Sequence, residues 1–149
     1  MAFIDRPYAQ KSQLVVREPH AADALARETI TVNITAGATL PFGAIVQRAK
    51  GASDAAYDVI ASAGDLVVTN EFAVVFSDNY FDFKEEIEVP ANEDTLVQAY
   101  VRGPIVLKRW KMKEYLVDTL GLSEANAETA FFLLSKQDVL SEDTIGSLT

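Results

Sequence analysis

The stretch Thr29-Ile30-Thr31-Val32-Asn33-Ile34-Thr35 decides the fold of this chain. Isoleucine or valine at every second position, separated by threonine and asparagine, gives the period of two that marks a strand with one buried face. Further short apolar runs, divided by glycine, proline or small polar residues, lie at Leu40, 44–46, 57–60, 66–68, 72–76, 95–101 and 105–107. Short strands at this spacing predict a mainly β core.

The hydrophobic period changes near the C-terminus, within about 109–137, where apolar residues recur at helical spacing. Gly121 stands where a first helix would end, and Ser123 is a candidate N-cap for a second. The four adjacent apolar residues 131–134 are expected to be core side chains. We therefore expect one or two short helices here, an α+β fold overall, and a polar tail that frays after Val139.

The N-terminal 27 residues combine prolines, charges and small side chains without a sustained period. This pattern predicts a flexible arm over 1–27 and a single β-rich domain over 28–149. One run in the arm has strand character, and it consists of Gln13, Leu14, Val15, Val16 and Arg17. The run either adds a strand to the sheet edge of another chain or packs as the first strand of the domain, and the sequence leaves both interpretations open.

Composition disfavours several classes of function. The chain has 22 acidic and 13 basic residues and a net charge of −9, which opposes the broad phosphate contact that nucleic-acid binding requires. The one basic cluster is interpreted as a solvated helix face, and it contains Lys108, Arg109, Lys111 and Lys113. We find no apolar run of membrane-spanning length and no signal peptide, and we expect synthesis in a cytoplasm without a membrane partner. Cysteine is absent.

Catalytic patterns are missing from the sequence. The only histidine, His20, lies in the arm, and there is no glycine-rich phosphate loop and no zinc-ligand spacing. We therefore expect no enzyme, no cofactor and no metal. The acidic segment 78–94 raises a calcium hypothesis, but it has no glycine and no calcium-loop pattern. Its aromatic residues are expected to pack inward or against another subunit.

Several short patches, taken in order, resemble the head decoration proteins of lambda-like tailed phages. The patches are Arg27-Glu28-Thr29-Ile30-Thr31-Val32, Leu40 with Gly43-Ala44-Ile45-Val46, Ala73-Val74-Val75 and Val101-Arg102-Gly103. The similarity runs from about residue 27 to about residue 140 and rests on the order and spacing of the patches together. The chain departs from smaller members of that family in its longer arm, its acidic aromatic segment and its C-terminal helices.

The resemblance implies a virion structural protein on the outer surface of the capsid, where it would stabilise the expanded head. It implies a homotrimer, the major capsid protein as partner, and an arm that becomes ordered on the shell. We expect the strand-like run of the arm to add a strand to the capsid protein. A trimer of such acidic chains must offset charge repulsion with apolar contact, which we expect from Phe76, Tyr80, Phe81 and Phe83.

Three other functions fit parts of the pattern. A tail or baseplate structural protein would share the β core and the lack of catalytic residues. A glycan-binding module would need exposed aromatic side chains, for which Trp110 or Tyr80 could serve. A small, β-rich trimeric enzyme is the third alternative.

Overall fold

The computed structural model describes residues 14–17, 27–78 and 86–143. Within these ranges, the strands are β1 (Val15–Arg17), β2 (Arg27–Val32), β3 (Ala38–Pro41), β4 (Ile45–Ala49), β5 (Asp58–Val59), β6 (Asn70–Asp78), β7 (Glu86–Val89), β8 (Thr95–Tyr100), β9 (Ile105–Lys108) and β10 (Val139–Glu142). The helices are a 3-10 turn (Ala63–Asp65), α1 (Arg109–Lys113), a π-helix (Glu114–Thr119) and α2 (Glu124–Ser135). The expected mainly β fold with two short C-terminal helices is confirmed.

The central element is an antiparallel sheet with the strand order β2-β8-β6-β4-β5. Its two outer strands approach each other at Tyr57, which precedes β5. The Tyr57 N–H donates to the carbonyl of Thr31 (2.9 Å), and the Tyr57 carbonyl accepts from the N–H of Asn33 (3.0 Å). These two bonds join the outer strands at one point and close the sheet there into a small barrel.

Both faces of the barrel wall are covered at β6, which explains why its sequence is an unbroken apolar run. Ala73 and Val75 lie on one face, and Phe72, Val74 and Phe76 lie on the other, and all five side chains are buried. A half-exposed strand would instead alternate apolar and polar residues. Strand β7 does so in the pattern Glu-Ile-Glu-Val, in which the glutamates are exposed and the apolar residues are buried. The β3–β7 ribbon adds Leu40, Ile87 and Val89 to the same core.

A second sheet packs beside the barrel in the order β1-β9-β10, with β1 antiparallel and β10 parallel to β9. Leu14 is fully buried in the core, and its carbonyl accepts from the N–H of Lys108 (2.6 Å). The described part of the expected arm, residues 14–17, therefore packs as the first strand of the domain, the second of the two interpretations above. The expectation of a flexible arm over 1–27 therefore does not hold for residues 14–17, because Leu14 is buried in the core and β1 pairs with β9.

The tail is also more ordered than the sequence suggested. Residues Val139–Glu142 form β10, so the expectation of fraying directly after Val139 is wrong for this strand. The order comes from burial of the Val139 side chain and from pairing with β9. The expected strand at 66–68 is absent, because this segment continues from the 3-10 turn and exposes Val67 and Val68.

Gln137 fixes the C-terminal segment to the barrel through three hydrogen bonds. Its side-chain oxygen accepts from the N–H of Phe72 (2.9 Å), and its amide nitrogen donates to the carbonyls of Phe72 (2.7 Å) and Val101 (2.6 Å). Strand β8 ends at Tyr100, opposite Val74, so the Gln137 amide takes the place that a further residue of β8 would occupy opposite Phe72.

Gly103 lies where the chain turns from β8 into β9, directly against the Asp138 backbone. A Cβ atom at Gly103 would be 1.8 Å from the Asp138 carbonyl oxygen, so only glycine fits this approach. The Gly103 N–H donates to the carbonyl of Gln137 (3.0 Å). The turn and the strand that follows α2 are thus held together by backbone contact.

The helix boundaries follow the local signals in the sequence. Gly121 adopts a φ of 75° after the π-helix, and its N–H donates to the carbonyl of Val117. The Ser123 hydroxyl accepts from the N–H of Asn126 (3.2 Å), which confirms Ser123 as the N-cap of α2. Within 131–134, three side chains are buried, whereas Phe132 is exposed.

Candidate functional site

The residues predicted from sequence as subunit contacts do not form a described surface. Phe76 is only 1% exposed and packs against Tyr100, with ring centroids 5.0 Å apart, so it offers no contact area to another subunit. Tyr80, Phe81 and Phe83 lie outside the described residues. The expectation for Phe76 is therefore corrected: its position on the covered face of β6 places it in the core.

The residues predicted as a capsid-binding arm are also placed only in part. Gln13 lies outside the described residues, and Leu14 is buried in the domain core. Val15, Val16 and Arg17 form β1, which pairs through an irregular register with β9: Val15 lies opposite Leu107, and Arg17 lies opposite Val106. One side of this segment is therefore already paired within the domain.

An open cleft of about 410 Å³ lies along the barrel seam, on the N-terminal side of the bonds that Tyr57 makes. One wall is β2 from 28 to 31, and the other is the loop 53–56 with Arg48 and Tyr57. The rest of the lining consists of Asp94, Val101 and Arg102. The seam is thus closed at Tyr57 and open beside the first half of β2. We refer to this opening as the seam cleft.

The register of the closed part determines which backbone groups face the seam cleft. Because Tyr57 binds the Thr31 carbonyl and the Asn33 N–H, the odd-numbered residues of β2 direct their backbone groups to the seam, and the even-numbered ones direct theirs to β8. Thr29 is the preceding odd-numbered residue. Its N–H and C=O therefore face the cleft, and within the described residues no backbone group pairs with them.

Arg48 organises the opposite wall. Its guanidinium group forms an ion pair with Glu71 and stacks on the Tyr57 ring, 4.4 Å from the ring centroid. One guanidinium nitrogen, Nη1, donates to the carbonyls of Ala55 (3.0 Å) and Ser53 (3.4 Å). These two bonds fix the position of the loop relative to Arg48.

Tyr57 supplies a buried polar group next to this cluster. Its side chain is 1% exposed, and within the described residues its hydroxyl has no hydrogen-bond partner. Burial, followed by the negative charge of Glu71, raises the pKa of Tyr57 to about 12. At neutral pH the hydroxyl is therefore protonated, so it could donate a hydrogen bond to a ligand and would not act as a base.

Glu28 and Arg102 form an ion pair at the cleft, with 3.6 Å between the carboxylate oxygen and Nε. They are the acidic residue of the first resemblance patch and the basic residue of the last. The fold brings these two patches together because β2 pairs with β8, and Arg102 follows the end of β8. Arg102 is largely exposed, so the pair lies at the rim and contributes little to stability.

A second surface lies between α2 and β10. Phe132 is 56% exposed and Leu140 is 44% exposed, and both line a groove whose floor includes the buried residues Val106 and Phe131. Arg109 closes one end, where it donates to the Ser141 carbonyl (3.2 Å). The rest of the lining is polar, and it consists of Glu128, Ser135, Ser141 and Glu142. We refer to this surface, after Phe132 and Leu140, as the apolar groove.

The basic cluster near α1 is largely neutralised by acidic residues. Arg109 lies 3.7 Å from Glu128, Lys111 lies 3.8 Å from Glu114, and Lys113 lies 3.6 Å from Glu124. This arrangement agrees with a solvated helix face and leaves little free positive charge for phosphate. Trp110, one of the two candidate glycan-binding aromatics, is 40% exposed on the same helix, and Tyr80 lies outside the described residues.

Neither a metal site nor a membrane helix is found in the described part of the chain. No three His, Cys, Asp or Glu side chains within 14–17, 27–78 and 86–143 are grouped so that they could hold a metal ion. Over the same ranges, no helix combines the length and apolar character needed to cross a bilayer.

The chain was compared with known proteins in three ways. A scan against protein-family models, a search of curated proteins and a search of solved structures each found no match. The resemblance described above therefore stays a prediction drawn from the sequence patches.

Proposed function

We propose that this chain is a virion structural protein that binds the outer surface of a tailed-phage capsid and stabilises the expanded head. The observation that carries the proposal is the ordered resemblance of its sequence patches to head decoration proteins. The ion pair between Glu28 and Arg102 supports it, because it brings the acidic residue of the first patch into contact with the basic residue of the last patch. All of the patches lie in the barrel, in its connecting turns or in β3 of the ribbon beside it.

The proposed partner is the major capsid protein, which the chain engages by strand addition. This mode of binding needs backbone groups at a sheet edge and no catalytic residues. The structure changes the expected role of the run Gln13 to Arg17, because its described residues already pair with β9 on one side. We therefore propose that Leu14 belongs to the core of the domain and that the capsid protein contacts open sheet edges of the domain.

We further propose that the chain acts as a homotrimer. Each chain carries −9, so association must offset repulsion with apolar contact. Phe132 and Leu140 in the apolar groove are exposed side chains of the kind that a subunit interface buries. They replace Phe76 as the proposed contact residues, because Phe76 is in the core.

The test uses the purified chain with heads of the phage that encodes it. We expect binding to expanded heads, little binding to compact precursors, and slower release of DNA when decorated heads are heated, since a ligand of the assembled shell stabilises it by mass action. Antibody labelling of intact virions should mark the head. Label confined to the tail would instead support the tail or baseplate alternative, and equal binding to precursors and expanded heads would contradict the proposal.

A further inference from the structure

The seam cleft lies beside a part of β2 that pairs with no second strand among the described residues. The bonds at Tyr57 show the direction in which the seam closes, and they stop where the cleft begins. We infer that the seam cleft binds an extended, basic peptide segment of a capsid subunit, which adds as a strand to the open edge of β2. This inference rests on the function proposed above.

The backbone of β2 gives the first reason. Thr29 directs both its N–H and its C=O into the cleft, and these two groups are what an incoming strand needs to form a hydrogen-bonded pair. The Thr29 side chain does not block them, because its hydroxyl accepts from the amide of Gln98 (2.7 Å) on the other strand. The strand edge is thus ordered before the peptide arrives, which lowers the entropic cost of binding.

The opposite wall gives the second reason, since it cannot close the seam itself. Arg48 binds the carbonyls of Ser53 and Ala55, so these acceptors already have a hydrogen-bond donor. Arg48 is itself fixed by Glu71 and by the Tyr57 ring. The gap is therefore maintained by a network of contacts on one side and by the regular β2–β8 pairing on the other.

The charges and polar groups of the cleft indicate which kind of peptide it binds. The rim carries Glu28, Asp54 and Asp94 against Arg102, while the positive charge of Arg48 is neutralised by Glu71. Together with the net charge of −9, this rim favours a segment with a lysine or arginine. Tyr57 also lines the cleft, and its buried hydroxyl lacks a partner among the described residues, so a peptide carbonyl that reached it would satisfy this donor.

The main experiment compares Thr29→Pro with Thr29→Ala in binding to expanded heads. Both variants lose the hydroxyl that Gln98 uses, but only proline also removes the N–H that faces the cleft. Because that N–H points away from β8, proline breaks no bond of the β2–β8 ladder, as proline at a sheet edge usually does not. Because Thr29→Ala keeps the N–H that faces the cleft, we expect Thr29→Pro to bind at least about tenfold more weakly than Thr29→Ala.

A charge reversal provides a second test if Thr29→Pro does not fold. Asp94→Lys changes the rim of the cleft, and Asp118→Lys makes the same charge change at an exposed position on the π-helix. We expect only Asp94→Lys to weaken binding, and we expect the Thr29 amide to become protected from exchange when wild type binds. If wild type binds heads and none of these changes weakens the binding, the inference that the seam cleft binds the peptide is overturned, but the proposed function is not. Failure of the wild type to bind heads would overturn the proposed function as well.

Discussion

Replacing Gln137 with alanine should separate the C-terminal segment from the barrel. The change leaves the N–H and C=O of Phe72 and the C=O of Val101 without their hydrogen-bond partner, and both residues are buried. Each unsatisfied buried group costs about 1–3 kcal/mol. Because Gln137 is only half-buried, water can reach part of the gap, and we expect a loss of about 3–5 kcal/mol in the free energy of unfolding.

A loss of this size is a large part of the roughly 5–15 kcal/mol that stabilises a typical domain. In a chain of this length it should lower the melting temperature by about 10 °C, at about 2–4 °C per kcal/mol. Gln47→Ala is the matched control, because Gln47 makes one longer hydrogen bond, to the carbonyl of Val59 (3.3 Å). Thermal and urea unfolding measure the stability of both variants, and amide hydrogen exchange measures how strongly the backbone of β10 is protected. Equal melting temperatures for the two variants would refute the anchoring role of Gln137.

Three further changes test other contacts of the fold. Gly103→Ala should destabilise the domain by more than about 2 kcal/mol, which lowers the melting temperature by at least about 4–8 °C. Gly51→Ala, with open space around its Cβ position but a φ of 77°, should cost about 1 kcal/mol, and thermal unfolding of the two variants tests this difference. Leu14→Ala should cost about 2–5 kcal/mol in urea unfolding, and no effect would mean that residue 14 belongs to a free arm. Burial raises the pKa of Tyr57 and Tyr115 to about 12, so the unfolded chain loses protons from pH 10 upward that the folded chain keeps. Stability should fall as the pH rises from about 10 to 12, and replacing both residues with phenylalanine should flatten this dependence in urea titrations.

The sequence predicted the elements whose signals are local. The alternation that begins at Thr29 corresponds to β2, and the capping residues Gly121 and Ser123 stand where the structure ends one helix and begins the next. These predictions succeed because side-chain period and capping depend on residues within a few positions of each other. The same reasoning identified 72–76 as a strand but could not assign Phe76 to the core, since burial of both faces depends on a second layer.

The elements that the sequence missed depend on contacts between distant residues. Strand β10 has a mixed composition of four residues, and its position follows from Gln137, which bonds to Phe72 at a separation of 65 residues. The seam cleft likewise depends on where Tyr57 meets β2 and on how Arg48 holds the loop, and no spacing in the chain indicates either contact. The one available signal was the charge in the patches, where Glu28 and Arg102 could have been proposed as partners.

The seam cleft and the apolar groove share no lining residue, so binding to the shell and self-association should be separable by mutation. Phe132→Glu places a charge on a side chain that is already 56% exposed, and it should leave the fold intact while opposing burial in a subunit contact. We expect light scattering to give a trimer for wild type and a monomer for this variant, with similar melting of the isolated chain. Val68→Glu is the control, because Val68 is 65% exposed and does not line the groove. A monomeric variant that still binds heads, more weakly because it engages one site instead of three, would agree with two separate surfaces. Trimers that persist in Phe132→Glu would place the subunit contact elsewhere, and a monomeric wild type would contradict the trimer itself.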